Sequence, residues 1–334
     1  MADGPLRAGT AERPSPVVPL WLAGGALWAA ILLVVAARAA GVADSDAIGT
    51  FGVIFTSIVV EALPFILLGA AASAAIAVFV PARLFARLGA FPTPVQVPAA
   101  ALAGFAMPVC ECGSVPVARR LMLRGVHPSA GIAFMLAAPI LNPIVLASTW
   151  VAYGAAGRAA EMTAARAALG LLVAVVAGWT IGTRGGSILR ETAEDGTPGA
   201  HAPGGAFAEH MTSDFLFMGR FLVLGAAVAA LLQTAVPQDW LASVGDAPVL
   251  GAIALMGMAV ALSLCSEADA FVAVSFTAFP LGSQLAFLVL GPVVDAKLAV
   301  LYGATFRRRF VLHVLAVAAP IALAGALLFD AVTG

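Results

Sequence analysis

The stretch "PVCECGSVPVARR", Pro108 to Arg120, decides how this chain is read. It follows an uncharged apolar run, sets two cysteines either side of a glutamate, and closes on two arginines. An ionised side chain at bilayer depth costs about 2.5 to 3.5 kcal/mol on insertion scales, so a carboxylate kept there implies a partner, water or a task. The surroundings are those of a membrane protein. Of 334 residues, 62% are hydrophobic and 10% charged, with a mean hydropathy of +1.03, whereas soluble domains carry about a quarter charged residues. The net charge of -1 and the absence of a single basic patch point to a lipid bilayer as partner and to no nucleic acid.

Outward from this motif, apolar runs near the roughly 20 residues that cross a bilayer predict seven spans, at 17–40, 51–80, 129–153, 164–183, 215–236, 284–303 and 310–328. The first, behind Arg7 and Arg13, is longer than a signal-peptide core and reads as a retained anchor. Two segments, 97–123 and 250–279, are interrupted by polar residues, Gly or Pro. Each half reaches only about 14 to 24 Å at about 1.5 Å per residue. Such halves form either one broken crossing helix or a hairpin that enters and leaves on the same side. The stretch 184–213, containing "TAEDGTPGAHAPGGA", is polar and rich in Gly and Pro and reads as a flexible linker.

The flanks of that linker repeat one another. "FILLGAA" from Phe65 recurs as "FLVLGAA" from Phe221, Pro81 and Gly89 as Pro237 and Gly245, and Cys110 as Cys265. "AFMLAAPILN" from Ala133 to Asn142 matches "AFLVLGPVVD" from Ala286 to Asp295. Charge then separates the two topologies. With both interrupted segments as hairpins and the N-terminus cytoplasmic, thirteen of the 17 basic residues face the cytoplasm and only Arg38, Arg158 and Arg166 lie outside, with Lys297 inside a span. With both segments crossing, the split is nine to seven, a poor match to the positive-inside rule.

The predicted fold class is therefore an all-α polytopic membrane protein with two inverted repeats, each holding a re-entrant or broken helix hairpin, plus one extra N-terminal transmembrane helix. Its parts are a cytoplasmic tail over 1–16, the extra helix over 17–40, a first repeat over 48–183, the cytoplasmic linker over 184–213 and a second repeat over 214–334. Two parallel four-helix units are the alternative.

If the hairpins are right, the tips "CECG" and "CSEAD" meet near the midplane. The candidate substrate-binding residues are Cys110, Glu111, Cys112, Asn142, Cys265, Glu267, Asp269, Asp295 and Lys297. Pro108, Gly113, Pro116, Pro139, Pro143, Gly291 and Pro292 are the breaks expected to line the site, because irregular backbone at membrane depth is tolerated where it borders a cavity. Residues two apart share a side in extended or turning backbone but not on a helix. Pro108, Gly113 and Pro116 predict the former, so that thiolates at Cys110 and Cys112 grip one soft ion or thiophilic metalloid, with Cys265 as a third ligand and Glu111 or Glu267 taking up protons. So short a pattern also fits cysteines packed as small apolar residues. Lys297 is read as neutralising Asp295, and Glu61 beside Pro64 as a proton path or a kinked, hydrated helix. Met107, Met122, Met135, Met256 and Met258 read as core filler, and His127 and His313 as interface or packing residues.

Taken together, "MPVCECGSVPVARRLMLRGVHPSAGIAFMLAAPILNPIVLASTW", "LSLCSEADAFVAVSF" and "LAFLVLGPVVDAKL" resemble the ArsP-type (YraQ-like) predicted permeases of bacterial inner membranes, from about Phe51 to the C-terminus. The resemblance implies efflux of trivalent organoarsenicals, with Cys110, Cys112 and Cys265 at the positions of the cysteines suspected of holding arsenic. The expected function is a secondary-active permease exporting a soft metal or organometalloid, coupled to protons, without a cofactor and not an enzyme. There is no phosphate-binding G-x-x-x-x-G-K-[ST] loop for ATP hydrolysis. A membrane-embedded thiol enzyme is weakened by the lack of C-x-x-C and H-E-x-x-H. A channel or membrane subunit of a larger complex is the third class, and a homo-oligomer stays open.

Overall fold

The computed structural model describes residues 46–80, 91–107, 109–182, 188–189, 203–235, 248–307 and 309–333. The expected anchor at 17–40, the repeat-matched Pro81, Gly89, Pro237 and Gly245, and Pro108 lie outside them. The described chain is helical: α1 (Asp46–Phe79), α2 (Thr93–Ala103), α3 (Glu111–Leu123), α4 (Pro128–Leu141), α5 (Pro143–Gly154), α6 (Ala159–Gly182), α7 (Pro203–Ala235), α8 (Pro248–Leu262), α9 (Asp269–Ala273), α10 (Leu281–Leu290), α11 (Ala296–Thr305) and α12 (Phe310–Thr333). Counting α4 and α5 together, five of these helical spans are long and apolar enough to cross a membrane. The chain is an all-α polytopic membrane protein. Two expectations change. The run 284–303 is not one span but α10 and α11 with a break over 291–295, and residues 203–213 of the expected linker are the first turns of α7.

The first interrupted segment doubles back along α4. Val97, near the start of α2, lies with Ser129 and Ala133 around Gly178, while Gly104, just past the end of α2, lies against Ala137 and Ala138. On the return, Ser114 hydrogen-bonds Met135 and Met122 lies against Gly131. The outward limb thus runs with α4, the return limb runs against it, and both outer ends sit beside the start of α4. Gly113 and Pro116 fall within helix α3, so the irregular backbone is confined to the turn before Glu111, which Cys110 closes with extended dihedrals of φ -74° and ψ 176°. Pro116 has no N–H for the carbonyl of Cys112, so α3 runs through it with one intrahelical hydrogen bond fewer.

The second interrupted segment repeats this relation with α10. Ala259, late in α8, approaches Gly291 beyond the end of α10, and Ser263 Oγ accepts the N–H of Ala296. The chain then returns to Phe276 and Phe279, whose carbonyls accept from Gln284 near the start of α10. The outer ends of the two segments meet different company. Gly182, ending α6, lies against Ser129, and Ile188 accepts the N–H of Arg307 beyond α11. Gly282, opening α10, lies against Ala326 and Asp330 late in α12, and Gln284 accepts from Tyr153 at the end of α5 (2.7 Å).

Helices α4–α5 and α10–α11 are both broken, and aligned residues mend both breaks. Asn142 Oδ1 accepts the N–H of Ile144 at 2.9 Å, and Asp295 Oδ1 accepts that of Leu298 at 2.6 Å. Each is the N-cap of the helix that follows. Pro139 withholds its missing N–H from the carbonyl of Met135, and the Ser114 hydroxyl fills the gap at 3.1 Å. Asn142→Ala will cost about 1 kcal/mol of stability, the usual value of an N-cap. Thermal unfolding in detergent measures it, and an unchanged midpoint would show that Pro143 alone starts α5.

Candidate functional site

The site is built around one buried ammonium. Lys297, in the first turn of α11, has Nζ 2.8 Å from Glu111 Oε1 and 3.6 Å from Asp295 Oδ2. It also donates to the carbonyl of Leu264 at 3.2 Å and stands 3.9 Å from Cys265 Sγ. All three charged side chains are buried. Lys297 therefore pairs first with Glu111, at the start of α3, and only second with the Asp295 beside it. Two charges taken from water at this depth persist because each satisfies the other, and removing one strands its partner. Space for this arrangement comes from glycine: a Cβ on Gly225 of α7 would lie 2.7 Å from Lys297 Cα. Gly69, the repeat-matched residue of α1, stands likewise against Gly113 Cα, where a Cβ would lie at 2.5 Å.

The two tips meet here. Ser266 Oγ donates to Glu111 Oε2 at 3.1 Å and lies 3.5 Å from Glu267 Oε2. Cys110 and Cys112 are buried on either side of Glu111, Cys110 in extended backbone and Cys112 in the first turn of α3. Among the described residues no three His, Cys, Asp or Glu side chains form a ready-made metal cage. Lys297 instead stands between the sulfur and carboxylate groups, so a soft substrate would meet a resident cation there.

The remaining candidates divide. Asp269 is not free for substrate: it is gripped by Arg166 of α6, Nη1 to Oδ1 at 2.9 Å and Nη2 to Oδ2 at 2.7 Å. Arg166, expected outside the membrane, is completely buried and also bonds Thr149 Oγ1 (2.8 Å) and the Ser266 carbonyl (3.3 Å). Charge counting placed it on the outer side, near the start of the predicted span 164–183, but α6 begins at Ala159 and carries it inward. The signal that could have found it is its matching acid, Asp269, in an equally apolar neighbourhood. Asn142 is buried and its Nδ2 has no hydrogen-bond partner, although its distance from Lys297 is not fixed by a direct contact. Glu267 is half-buried, with Oε1 likewise unpartnered. Glu61 stands on the exposed side of α1. Pro139 and Pro143 flank the α4–α5 break, and Gly291 and Pro292 form the α10–α11 break. His127 caps α4, its Nδ1 accepting from Ser129, and Met135, Met256 and Met258 are core residues.

Away from the centre, the outer end of the first hairpin is held by charge. Arg120 of α3 pairs with Asp214 of α7 at 3.1 Å, Ser73 of α1 donates to Asp214 at 2.6 Å, and Arg124 donates to the carbonyl of Ala77. Arg119 lies over the Phe217 ring at 5.8 Å. The outer end of the second hairpin is held by the neutral pair Tyr153–Gln284.

The chain is similar in sequence to known proteins. The chain is 40% identical over 284 residues to the UPF0718 protein YcgR of Bacillus subtilis (strain 168), covering 82% of this chain and 95% of that one. It is 34% identical over 268 residues to a putative two-component membrane permease complex subunit of Streptococcus mutans serotype c (strain ATCC 700610 / UA159), covering 78% and 88% respectively. No solved structure matches it. The family model described as predicted permease, ArsP-type, matches residues 47–331, including both hairpins, both broken helices and Lys297. The chain belongs to the ArsP-type predicted permease family, and it is a membrane permease rather than an enzyme.

Proposed function

We propose that this permease is a secondary-active exporter of a soft metal or trivalent organometalloid, set in the bacterial inner membrane with its N-terminus cytoplasmic. The observation that carries the reading is the meeting of sulfur and carboxylate from both hairpins around Lys297. Thiolate sulfur is the ligand that soft ions prefer. Cys110 and Cys112 take the substrate from one tip and Cys265 from the other, Lys297 yields its place, and Glu111 and Glu267 carry the protons exchanged. The two repeats are oppositely oriented, so the hairpins open to opposite faces and alternate in admitting water. This draws support from the outer ends, which lie beside Ser129 and Gly182 in one case and beside Tyr153 and Asp330 in the other.

In everted vesicles, Cys110→Ser and Cys112→Ser will each lower uptake of a trivalent methylarsenical at least about tenfold at unchanged protein abundance, the usual scale for removing one member of a binding shell. Full uptake by both variants would remove the thiolate mechanism. A second reading, a membrane subunit of a larger complex, draws on the description of the Streptococcus mutans relative. Transport by the purified chain alone in liposomes would dispose of it.

A further inference from the structure

Between α8 and α9 the chain runs through residues 263–268 without helix and carries Cys265, Ser266 and Glu267. This strap holds neither proline nor glycine, and Ser263 stands at φ 47°, a left-handed conformation that side-chain-bearing residues seldom adopt. Its path is imposed by its neighbours. At the near end the Ser263 hydroxyl accepts the Ala296 N–H at 3.1 Å and Lys297 donates to the Leu264 carbonyl at 3.2 Å. At the far end Arg166 does the holding: Nη2 donates to the Ser266 carbonyl, and both terminal nitrogens fork onto Asp269, the residue that starts α9. Thr149 orients the guanidinium, accepting from Nη1 while donating to the Val145 carbonyl at 2.8 Å.

We propose that Arg166 is the positioning residue of the transport site: from the first repeat, its fork on Asp269 and the Ser266 carbonyl sets where Cys265 and Glu267 stand relative to Lys297 and Glu111. Guanidinium suits this task because it stays charged and presents donors in a rigid plane that matches a carboxylate. A lysine would keep the charge and lose the fork. Ser266 links the two ends, its carbonyl on Arg166 and its hydroxyl on Glu111. A strap released at Ser266 therefore loosens the Glu111 contact as well. The inference rests on the reading of Cys265 and Glu267 as substrate groups, and its test separates the two.

Cys265 becomes the sole thiol once Cys110→Ser and Cys112→Ser are in place, since the chain has three cysteines. In that background Arg166→Lys will raise the rate of Cys265 alkylation by N-ethylmaleimide about tenfold, because a clamped segment reacts only when it opens locally. With all cysteines present, Arg166→Lys will raise KM for the methylarsenical about tenfold and leave the maximal rate within about twofold, the scale of a supporting-shell loss. Thr149→Val, which withdraws a single hydrogen bond, will move both readouts in the same direction by a smaller factor, and it carries the test if the lysine variant does not accumulate. Alkylation rates equal to the parent's in both variants overturn the proposal. If those rates shift while Cys265→Ser still transports at the parent's rate, Arg166 positions the strap and it is the substrate reading that falls.

Discussion

Lys297→Met will abolish transport and sharply reduce the yield of folded protein. The methionine fills similar space, but Glu111 is then left with a buried carboxylate oxygen that had an ammonium 2.8 Å away. Removing one partner of a buried pair costs about 3 to 5 kcal/mol, whereas replacing both by neutral groups is often harmless. Lys297→Met combined with Glu111→Gln will therefore recover most of the lost thermal stability and none of the transport. Thermal unfolding in detergent and vesicle uptake read the two quantities separately. A methionine variant as stable as the parent would mean that Glu111 finds other compensation, and one that still transports would dismiss the central role of the ammonium.

The second large effect comes from a residue with no side chain. A Cβ at Gly225 would lie 2.7 Å from Lys297 Cα and 2.9 Å from its carbonyl oxygen, both backbone atoms that cannot rotate away. Gly225→Val must therefore push α7 and α11 apart and draw Nζ off Glu111. Overpacking alone costs about 1 to 3 kcal/mol, and the displaced ion pair adds to it, so neither folded protein nor uptake should survive at wild-type levels. Gly69→Val acts the same way against Gly113 in the first repeat. Gly219→Ala, on the same helix α7 but with nothing within 4 Å of its Cβ, serves as control. It will stay within about 0.5 kcal/mol of the parent, as surface substitutions do. Equal behaviour of Gly225→Val and Gly219→Ala would contradict the close approach of α7 to α11.

Much of the architecture was legible because polar groups in an apolar chain are conspicuous. Glu111 and Lys297 stand out against their runs, and they do meet; Ser266, which joins them from the second tip, drew no notice. The alignment of Asn142 with Asp295 also survives as a shared structural task, since both cap the second half of a broken helix. What escaped was pairing. Lys297 was assigned to Asp295 by proximity in sequence, yet the first turn of α11 directs its long chain toward a carboxylate 186 positions earlier. Arg166 was counted as an outer-face charge near the start of its span because the added turn from Ala159 leaves little mark in hydropathy. Gly113 and Pro116 were read as breaks, but α3 runs through both and Gly113 serves the close approach to Gly69. The opening turns of α7 hid behind a composition rich in glycine and proline.

The contact between Lys297 and Glu111 is also a latch against futile cycling. It joins the two repeats, so an empty protein that parted there would strand a carboxylate in a dry interior, at a cost of about 3 to 5 kcal/mol. At roughly 1.4 kcal/mol per factor of ten, idle passages would be rarer by about a hundred- to a few-thousandfold than passages in which the stranded charge is relieved. Under the proton exchange proposed above, a membrane that carries this protein is thereby spared a standing leak of its proton gradient.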